Sequence, residues 1–475
     1  MTVLSLVTFP LVCRILGDEA IGTFSWATSF IYYFIVLSKI SIPNVAVREC
    51  AKVKDDPVKL SMKIQEFFIL QAIMTVISFG LMCTLVFTIP SLRDNQAIIF
   101  IVSLNFLASV FAFEWVFTAL EKHTYLAVRS IIILAVVDIL IFALIKRPDD
   151  LYLYAFISAS VTLLTVLSNL FYLPALVKFK KVGKYNFKQY IPVLGVLFAI
   201  SIVVAIYSKT DSFILGFIDT TKASVGSYSV GMKGVDIVIG IIIALGSVFM
   251  PRCASLLAQN DINEYKKLNV FSVNLCFLIV VPAIALLAAL SSPITTLIAG
   301  ANGYKDANFV LLALCSLMLT NSLCNVIYTQ ILLPQKREKF YLYSMLAGVI
   351  LNIGLSFLFG LVVFKNSPAV GIAIATSITD LLILVSLLSF TWNDMKKGLF
   401  NLDNLKIVIL GALIAVFAFF VGPLTKDGFV EKVGEESAML IEIGIIFVAS
   451  AVIYLLGLIV SKEKIVRNII KREEA

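Results

Sequence analysis

Ionisable side chains inside otherwise apolar stretches carry the most chemistry in this chain. A charge at mid-helix in hydrocarbon costs about 2.5–3.5 kcal/mol on insertion scales, so each needs a partner or a wet cavity. Lys233 and Asp236 stand three residues apart, on one face of a predicted helix and roughly 12 and 17 Å from its outer end at about 1.5 Å per residue. Such a pair either locks two helices together or lines a lumen, where Lys233 meets an anionic group and Asp236 takes a proton or sodium ion. Lys39, four residues before Pro43, either snorkels to the interface or adds a cation to the same path. Arg48 and Arg252 are basic anchors or cations at the mouth of a cavity. Asp211 and Glu114, near the outer and inner ends of their spans, are further acids for ion coupling. Asp138 reads as a cross-helix hydrogen bonder and Arg129 as an end-of-helix anchor.

Other chemistry is scarce. His123, the single histidine, lies in a short loop, which removes most routes to zinc binding or His-activated nucleophiles. The seven cysteines, at 13, 50, 83, 253, 276, 315 and 324, show no metal-ligand spacing. No Walker A sequence is present. We therefore expect no metal, no cofactor and no catalytic residue.

The elements that must hold these charges are helices in a membrane. Hydrophobic residues make up 60% of the 475 and mean hydropathy is +1.00, beyond the roughly 45–50% apolar content of soluble domains. Thirteen runs approach the roughly 20 apolar residues that cross a bilayer, near 21–43, 64–89, 96–119, 127–145, 151–175, 190–217, 225–249, 269–290, 307–331, 342–364, 369–392, 406–423 and 437–460. The alternation of a β-barrel is missing, so backbone satisfaction in lipid predicts an all-α polytopic membrane protein. Residues 1–13 form a short apolar run before Arg14. We read it as part of a fourteenth, truncated helix whose true start lies upstream.

Basic residues orient the spans. Of the 38 Lys and Arg, 26 fall in the alternate loops 46–63, 120–129, 176–190, 250–268, 332–342 and 393–406 and in the tail from 461. That asymmetry predicts these segments to be cytoplasmic. The net charge of +8 then reflects topology, with no nucleic-acid partner expected. Trp26, Trp115 and Trp392 fall toward span ends, as in an interfacial belt. Pro10, Pro43, Pro282, Gly226, Gly231, Gly234 and Gly240 predict close packing or hinges.

The chain also repeats. Gly22-Thr23-Phe24-Ser25 matches Gly226-Ser227-Tyr228-Ser229, 204 residues later, and Arg48 and Arg252 follow the two glycines at the same distance. Lys122, Ser130 and Asp138 match Lys336, Ser344 and Asn352 at an offset of 214. Duplicated halves in a membrane protein predict a transporter with its site between them.

On these residues a resemblance becomes specific. Phe9-Pro10-Leu11-Val12-Cys13-Arg14-Ile15-Leu16-Gly17, Gly22 opening a helix and Ala46-Val47-Arg48-Glu49 closing it resemble the start of the Wzx-type polysaccharide flippases of the MOP superfamily. Phe117-Thr118-Ala119-Leu120-Glu121-Lys122, Asp211 with Leu215-Gly216, and Val225-Gly226-Ser227-Tyr228-Ser229 with Lys233 extend it in the family's order. The chain departs from the pattern at Lys39, where relatives often carry an acid. The resemblance implies two six-helix lobes, 1–175 and 190–392, joined by a cytoplasmic linker 176–189, with added helices in 406–460 and a tail 461–475. It implies movement of an undecaprenyl-diphosphate-linked oligosaccharide to the outer leaflet of the bacterial cytoplasmic membrane, for surface polysaccharide such as O-antigen. For such a cargo we expect alternating access driven by a proton or sodium gradient, with membrane lipids and a polysaccharide polymerase as partners. A multidrug or lipid II exporter of the same superfamily is the nearest rival. A membrane polymerase or ligase would need a sizeable external loop with catalytic residues, whereas the longest, 291–306, holds only Lys305 and Asp306 as charged groups.

Overall fold

The computed structural model describes residues 2–177, 185–300 and 304–461. Part of the basic linker and nearly all of the basic tail, residues 178–184 and 462–475, lie outside the described residues. Thirteen helices among the described residues are long and apolar enough to cross a membrane, in agreement with the thirteen runs. The chain divides into two compact units, Met1–Gly226 and Ser227–Ala475.

In the first unit, α1 (Thr2–Lys39) is followed by α2 (Ile42–Ala51), α3 (Pro57–Thr88), α4 (Pro90–Asp94), α5 (Gln96–Ser109), α6 (Glu114–Ala119), α7 (His123–Leu144), α8 (Leu151–Leu176) and α9 (Ile191–Ile218). Within α1 the short opening run ends at Gly17, whose φ of 81° and ψ of 177° break the helical path; only glycine takes that conformation without steric cost. α3 starts where Asp56 accepts hydrogen bonds from the Val58 and Lys59 amides, with Pro57 at the first helical position. Asp-Pro thus supplies both the side-chain cap and a residue that needs no amide partner.

Two spans of this unit are broken at their basic-loop ends. α1 gives way to α2 through Ile40 and Ser41 (φ 41° and 55°), and α5 to α6 through Phe113 (φ 48°). Positive φ at bulky residues is strained, and the freed backbone groups need partners. Asn169 on α8 donates to the Ala112 carbonyl; at the other break the side chains of Ser41 and Ser201 on α9 share a hydroxyl hydrogen bond at 2.8 Å, which ties the corner to α9. Beyond the breaks α2 and α6 pack together: Ile42, Val45, Ala46 and Cys50 join Trp115, Val116, Phe117 and Ala119 in one apolar cluster with Phe67 and Tyr190.

Loops expected on one membrane face touch each other. Lys54 and Glu121, from loops 46–63 and 120–129, pair at 2.9 Å. Tyr190, from loop 176–190, donates to buried Glu66 at 2.6 Å, and the Asn186 amide donates to the same carboxylate at 2.8 Å.

The repeat's glycines explain themselves within this unit. A Cβ on Gly22 would lie 1.8 Å from the Lys222 carbonyl oxygen, and one on Gly226 would lie 2.3 Å from that of Asp18. The matched pair therefore marks one close approach of two backbones. Trp26 and Trp115 correct the belt expectation: they are 0% and 5% exposed, and only Trp392, at 46%, faces outward. The Lys222 ammonium stacks on the Trp26 ring at 4.4 Å.

The second unit continues α10 (Ala223–Ala258), then α11 (Ile262–Ala289), α12 (Ser291–Ala299), α13 (Ala307–Val326), α14 (Glu338–Leu358), α15 (Pro368–Leu399), α16 (Leu402–Val433) and α17 (Glu435–Val460). α13 and α14 end in wider π turns, Ile327–Leu332 and Phe359–Val363. α13 and α15 form its interior, tied by Ser377 to the Ala313 carbonyl at 2.6 Å, and α14 joins through Asn352 to Thr376 at 3.0 Å. Gly231 and Gly411 are packing positions, where a Cβ would meet Val310 at 2.7 Å and Val281 at 2.4 Å.

The second echo of the repeat is displaced by one residue. Glu121 (φ 59°) and Lys336 (φ 57°) turn the chain into α7 and α14 alike. Buried Arg129, Ile133, Val137 and Ile141 then correspond to buried Ser344, Gly348, Asn352 and Ser356. The offset is 215, so Asp138 corresponds to Ile353 and not to Asn352. Burial fixes helix register, which isolated Lys and Ser matches do not.

Candidate functional site

Above the two helix breaks the first unit encloses a cavity of about 670 Å³. Irregular backbone at membrane depth is tolerated where it is buried or lines a wet cavity, and here Lys39, Pro43, Phe113 and Glu114 at the breaks are all wall residues. Tyr32 and Thr28 on α1, Gln71 on α3, Asn105 on α5 and Thr162 and Thr165 on α8 add uncharged polar groups among Ile31, Ile35, Val102 and Leu134. Thr162 donates to Asn105 at 2.8 Å, which bridges α8 to α5 behind that wall.

Two of the sequence-predicted charges meet in this cavity. Lys39 ends α1 half-buried, and Glu114 opens α6, close enough for its charge to act on the ammonium. Glu114 is in turn held by Arg129 of α7, Nη2 to Oε1 at 2.8 Å, with the Arg129 side chain 5% exposed and that of Glu114 55%. Arg129, expected as an end-of-helix anchor, lies near the start of α7 as a buried cation that fixes a cavity acid. The acid and the base lie fifteen residues apart on consecutive spans, a pairing that oppositely charged residues near facing span ends can signal.

Asp211 approaches the same helix from α9. It is buried and acts electrostatically on Tyr33, while Lys209 stacks on the Tyr32 ring at 5.5 Å. Arg48 lies outside this group, exposed on α2 beside Glu49 at 3.6 Å.

In the second unit, α10 carries Lys233 half-buried and Asp236 exposed. Arg252 is exposed further along α10, in a depression of about 270 Å³ with Glu264 and Lys267. The structure therefore separates the named residues: Lys39, Glu114 and the Asp211 neighbourhood in the first unit, Lys233, Asp236 and Arg252 in the second. Asp380 on α15 was missed from sequence; it is 4% exposed, with Thr320 and Asn321 of α13 at 3.4 and 3.5 Å from its carboxylate. A lone acid within the run 369–392 was the available signal.

A family model described as polysaccharide biosynthesis protein matches residues 1–257, more than half of the chain. The chain belongs to that family. The resemblance carried by residues 9–17 and their companions therefore holds at the family level. This family member is 24% identical over 397 residues to the "Putative O-antigen transporter" of Escherichia coli (strain K12), across 82% of its own length and 93% of the relative's. Its fold is similar to that of the lipid II flippase MurJ in an inward closed conformation, with a TM-score of 0.65 at 18% identity, covering 98% of this chain and 97% of that one. It is also similar to an inward-facing multidrug resistance MATE family transporter of the MOP superfamily, with a TM-score of 0.60 at 13% identity over 84% of this chain and 95% of the other. This member is accordingly an all-α, multi-pass membrane protein with the MOP transporter fold.

Proposed function

We propose that this family member is a flippase that carries an undecaprenyl-diphosphate-linked oligosaccharide from the cytoplasmic to the outer leaflet of the bacterial cytoplasmic membrane. The observation that carries the reading is the cavity of the first unit, a largely apolar chamber dotted with hydroxyl and amide groups, with Lys39 at its broken-helix end. A diphosphate with attached sugars cannot cross hydrocarbon unaided. Lys39 supplies a cation for the phosphates, and Tyr32, Gln71, Asn105, Thr162 and Thr165 supply the hydroxyl and amide groups that sugars hydrogen-bond. Lys233 adds a second cation, and Arg48 and Arg252 guide the head group from the basic-loop side. The family's O-antigen relative supports a sugar-bearing cargo, and no residue of the site is assigned a covalent step.

Movement is proposed as alternating access by lobes 1–175 and 190–392, reset by a proton or sodium gradient. Asp236 is the first coupling residue, and Asp211 and Glu114 are further candidates for the same role. At the 204-residue repeat spacing Asp236 corresponds to Tyr32, which lines the cavity of the first unit. A polysaccharide polymerase is the natural next handler of the flipped unit.

Binding of a photo-reactive undecaprenyl-diphosphate oligosaccharide to the purified protein tests the site. Labelling is expected on the cavity helices α1, α5 and α8, with Lys39→Ala weakening binding at least tenfold and Lys39→Arg retaining it. Unchanged binding by Lys39→Ala, with labels confined to the lipid-facing surface, contradicts the assignment. A fold likeness to a lipid II flippase favours one second reading, export of lipid II; preferential competition by lipid II in the same assay would establish that cargo instead.

A further inference from the structure

The Glu114 ion pair uses one nitrogen of the Arg129 guanidinium. Nη2 donates at 2.8 Å, while Nε and Nη1 have no hydrogen-bond partner among the described residues. The residue is 6% exposed. A buried cation with donors left over is an expensive arrangement unless a ligand completes it.

Arg129 also belongs to the wall of a second cavity, of about 370 Å³, with Thr124, Tyr125, Val128, Ile132, Ile133 and Ser168 from α7 and α8. This cavity opens on a lipid-facing side: Val128 and Ile132 are 52% and 57% exposed, and Phe171 on α8 is 84% exposed. The Tyr125 and Ser168 hydroxyls already bond each other at 2.8 Å, and Arg129 is the charged residue of its wall. Arg129 is the seventh residue of α7, and helical side chains lean toward the N-terminus. Its charge is therefore held near the span end beside loop 120–122, at head-group depth.

We propose that the α7–α8 cavity binds the phosphate of an anionic membrane phospholipid. Swung away from Glu114, Arg129 presents Nε and Nη2, the parallel donors on one edge of the planar guanidinium, to two phosphate oxygens, and an acyl chain runs along Val128 and Ile132. None of the lining residues is acidic, so nothing there receives a choline or ethanolamine cation, and a net anionic head group is preferred. Phosphate and Glu114 share one guanidinium. Lipid occupancy thus draws Arg129 away from Glu114 and changes the charge presented beside Lys39. The site stands apart from the identity of the cargo.

Native mass spectrometry of the full chain tests it, titrating phosphatidylglycerol and phosphatidylcholine of equal chain length, with inorganic phosphate as competitor. Phosphatidylglycerol is expected to bind at least tenfold more tightly than phosphatidylcholine. Arg129→Gln reduces it to the phosphatidylcholine level, and Glu114→Gln, which releases the guanidinium, tightens it several-fold. Ile132→Trp, which fills the cavity, abolishes the preference, so that this variant and Glu114→Gln decide the matter if Arg129→Gln does not fold. Equal retention of both lipids, or unchanged phosphatidylglycerol binding in Glu114→Gln and Ile132→Trp, overturns the proposal. Displacement of the lipid by millimolar phosphate overturns it too, by making the site one for the free anion.

Discussion

At the scale of single residues, the proposed cargo binding turns on Lys39. It is the cation at the broken end of α1 in a wall otherwise lined by Glu114 and neutral groups. A tenfold loss of cargo binding corresponds to about 1.4 kcal/mol, within reach of one lost charge-assisted hydrogen bond. Transport by Lys39→Glu is expected to fall further than by Lys39→Ala, because a carboxylate repels the diphosphate; leaflet-to-leaflet rates measured side by side check the order. Lys39 and Glu114 were legible because charge inside an apolar run is conspicuous. The pairing of Glu114 with Arg129 was only half legible: the opposite charges stand near facing span ends, but the backbone break at Phe113 that joins them is marked by no glycine or proline. The tryptophans were misread for a related reason: position near a span end says nothing about which face of a helix is covered, and Trp26 sits under Lys222 against α9.

At the scale of elements, the breaks and close approaches are what the sequence must specify. Asn169 is fully buried and donates to the carbonyl freed at Ala112, while its own oxygen accepts from Tyr125 at 3.1 Å. Asn169→Leu strands that carbonyl, and a loss of about 1–3 kcal/mol is expected, read as a lower melting temperature in detergent. Gly22→Ala is expected to cost a similar amount or more, because the new Cβ meets backbone and not a movable side chain; normal stability of that variant would contradict the packing. The turn before α10 has a pH signature. Burial opposes ionisation of Asp219, but hydrogen bonds from Ser224 and Thr221 win and hold its carboxyl below the usual range. Its folded pKa is depressed, so its contribution is complete above about pH 4 and fades as the pH falls through the folded value. Asp219→Asn should therefore lower the melting temperature at neutral pH and narrow the gap to wild type in acid. The number of spans was legible from hydropathy alone, whereas their basic-loop ends run past the apolar stretches, and the positive-φ corners at Ile40, Ser41 and Phe113 are imposed by packing of α2 on α6.

At the scale of the whole molecule, duplication was readable where the repeated residues do the same structural work. Gly22 and Gly226 match because both sit at a close backbone approach. The downstream echo slipped by one residue because Lys122 and Lys336 are loop residues free to drift relative to the buried faces of α7 and α14. The exposed apolar surface follows from the solvent: Phe171, Val76 and Ile350, at 84%, 72% and 73% exposed, lie in spans whose neighbour is lipid. The proposed activity is movement of a sugar-bearing lipid diphosphate between leaflets under an ion gradient. It is tested most directly by reconstituting the protein in vesicles with fluorescent undecaprenyl-diphosphate oligosaccharide on one leaflet and following its arrival on the other. Transfer is expected to accelerate at least tenfold with an imposed proton or sodium gradient and to lose that acceleration in Asp236→Asn and Lys233→Ala. Lipid that stays in place while its glycan is lengthened or transferred would contradict it.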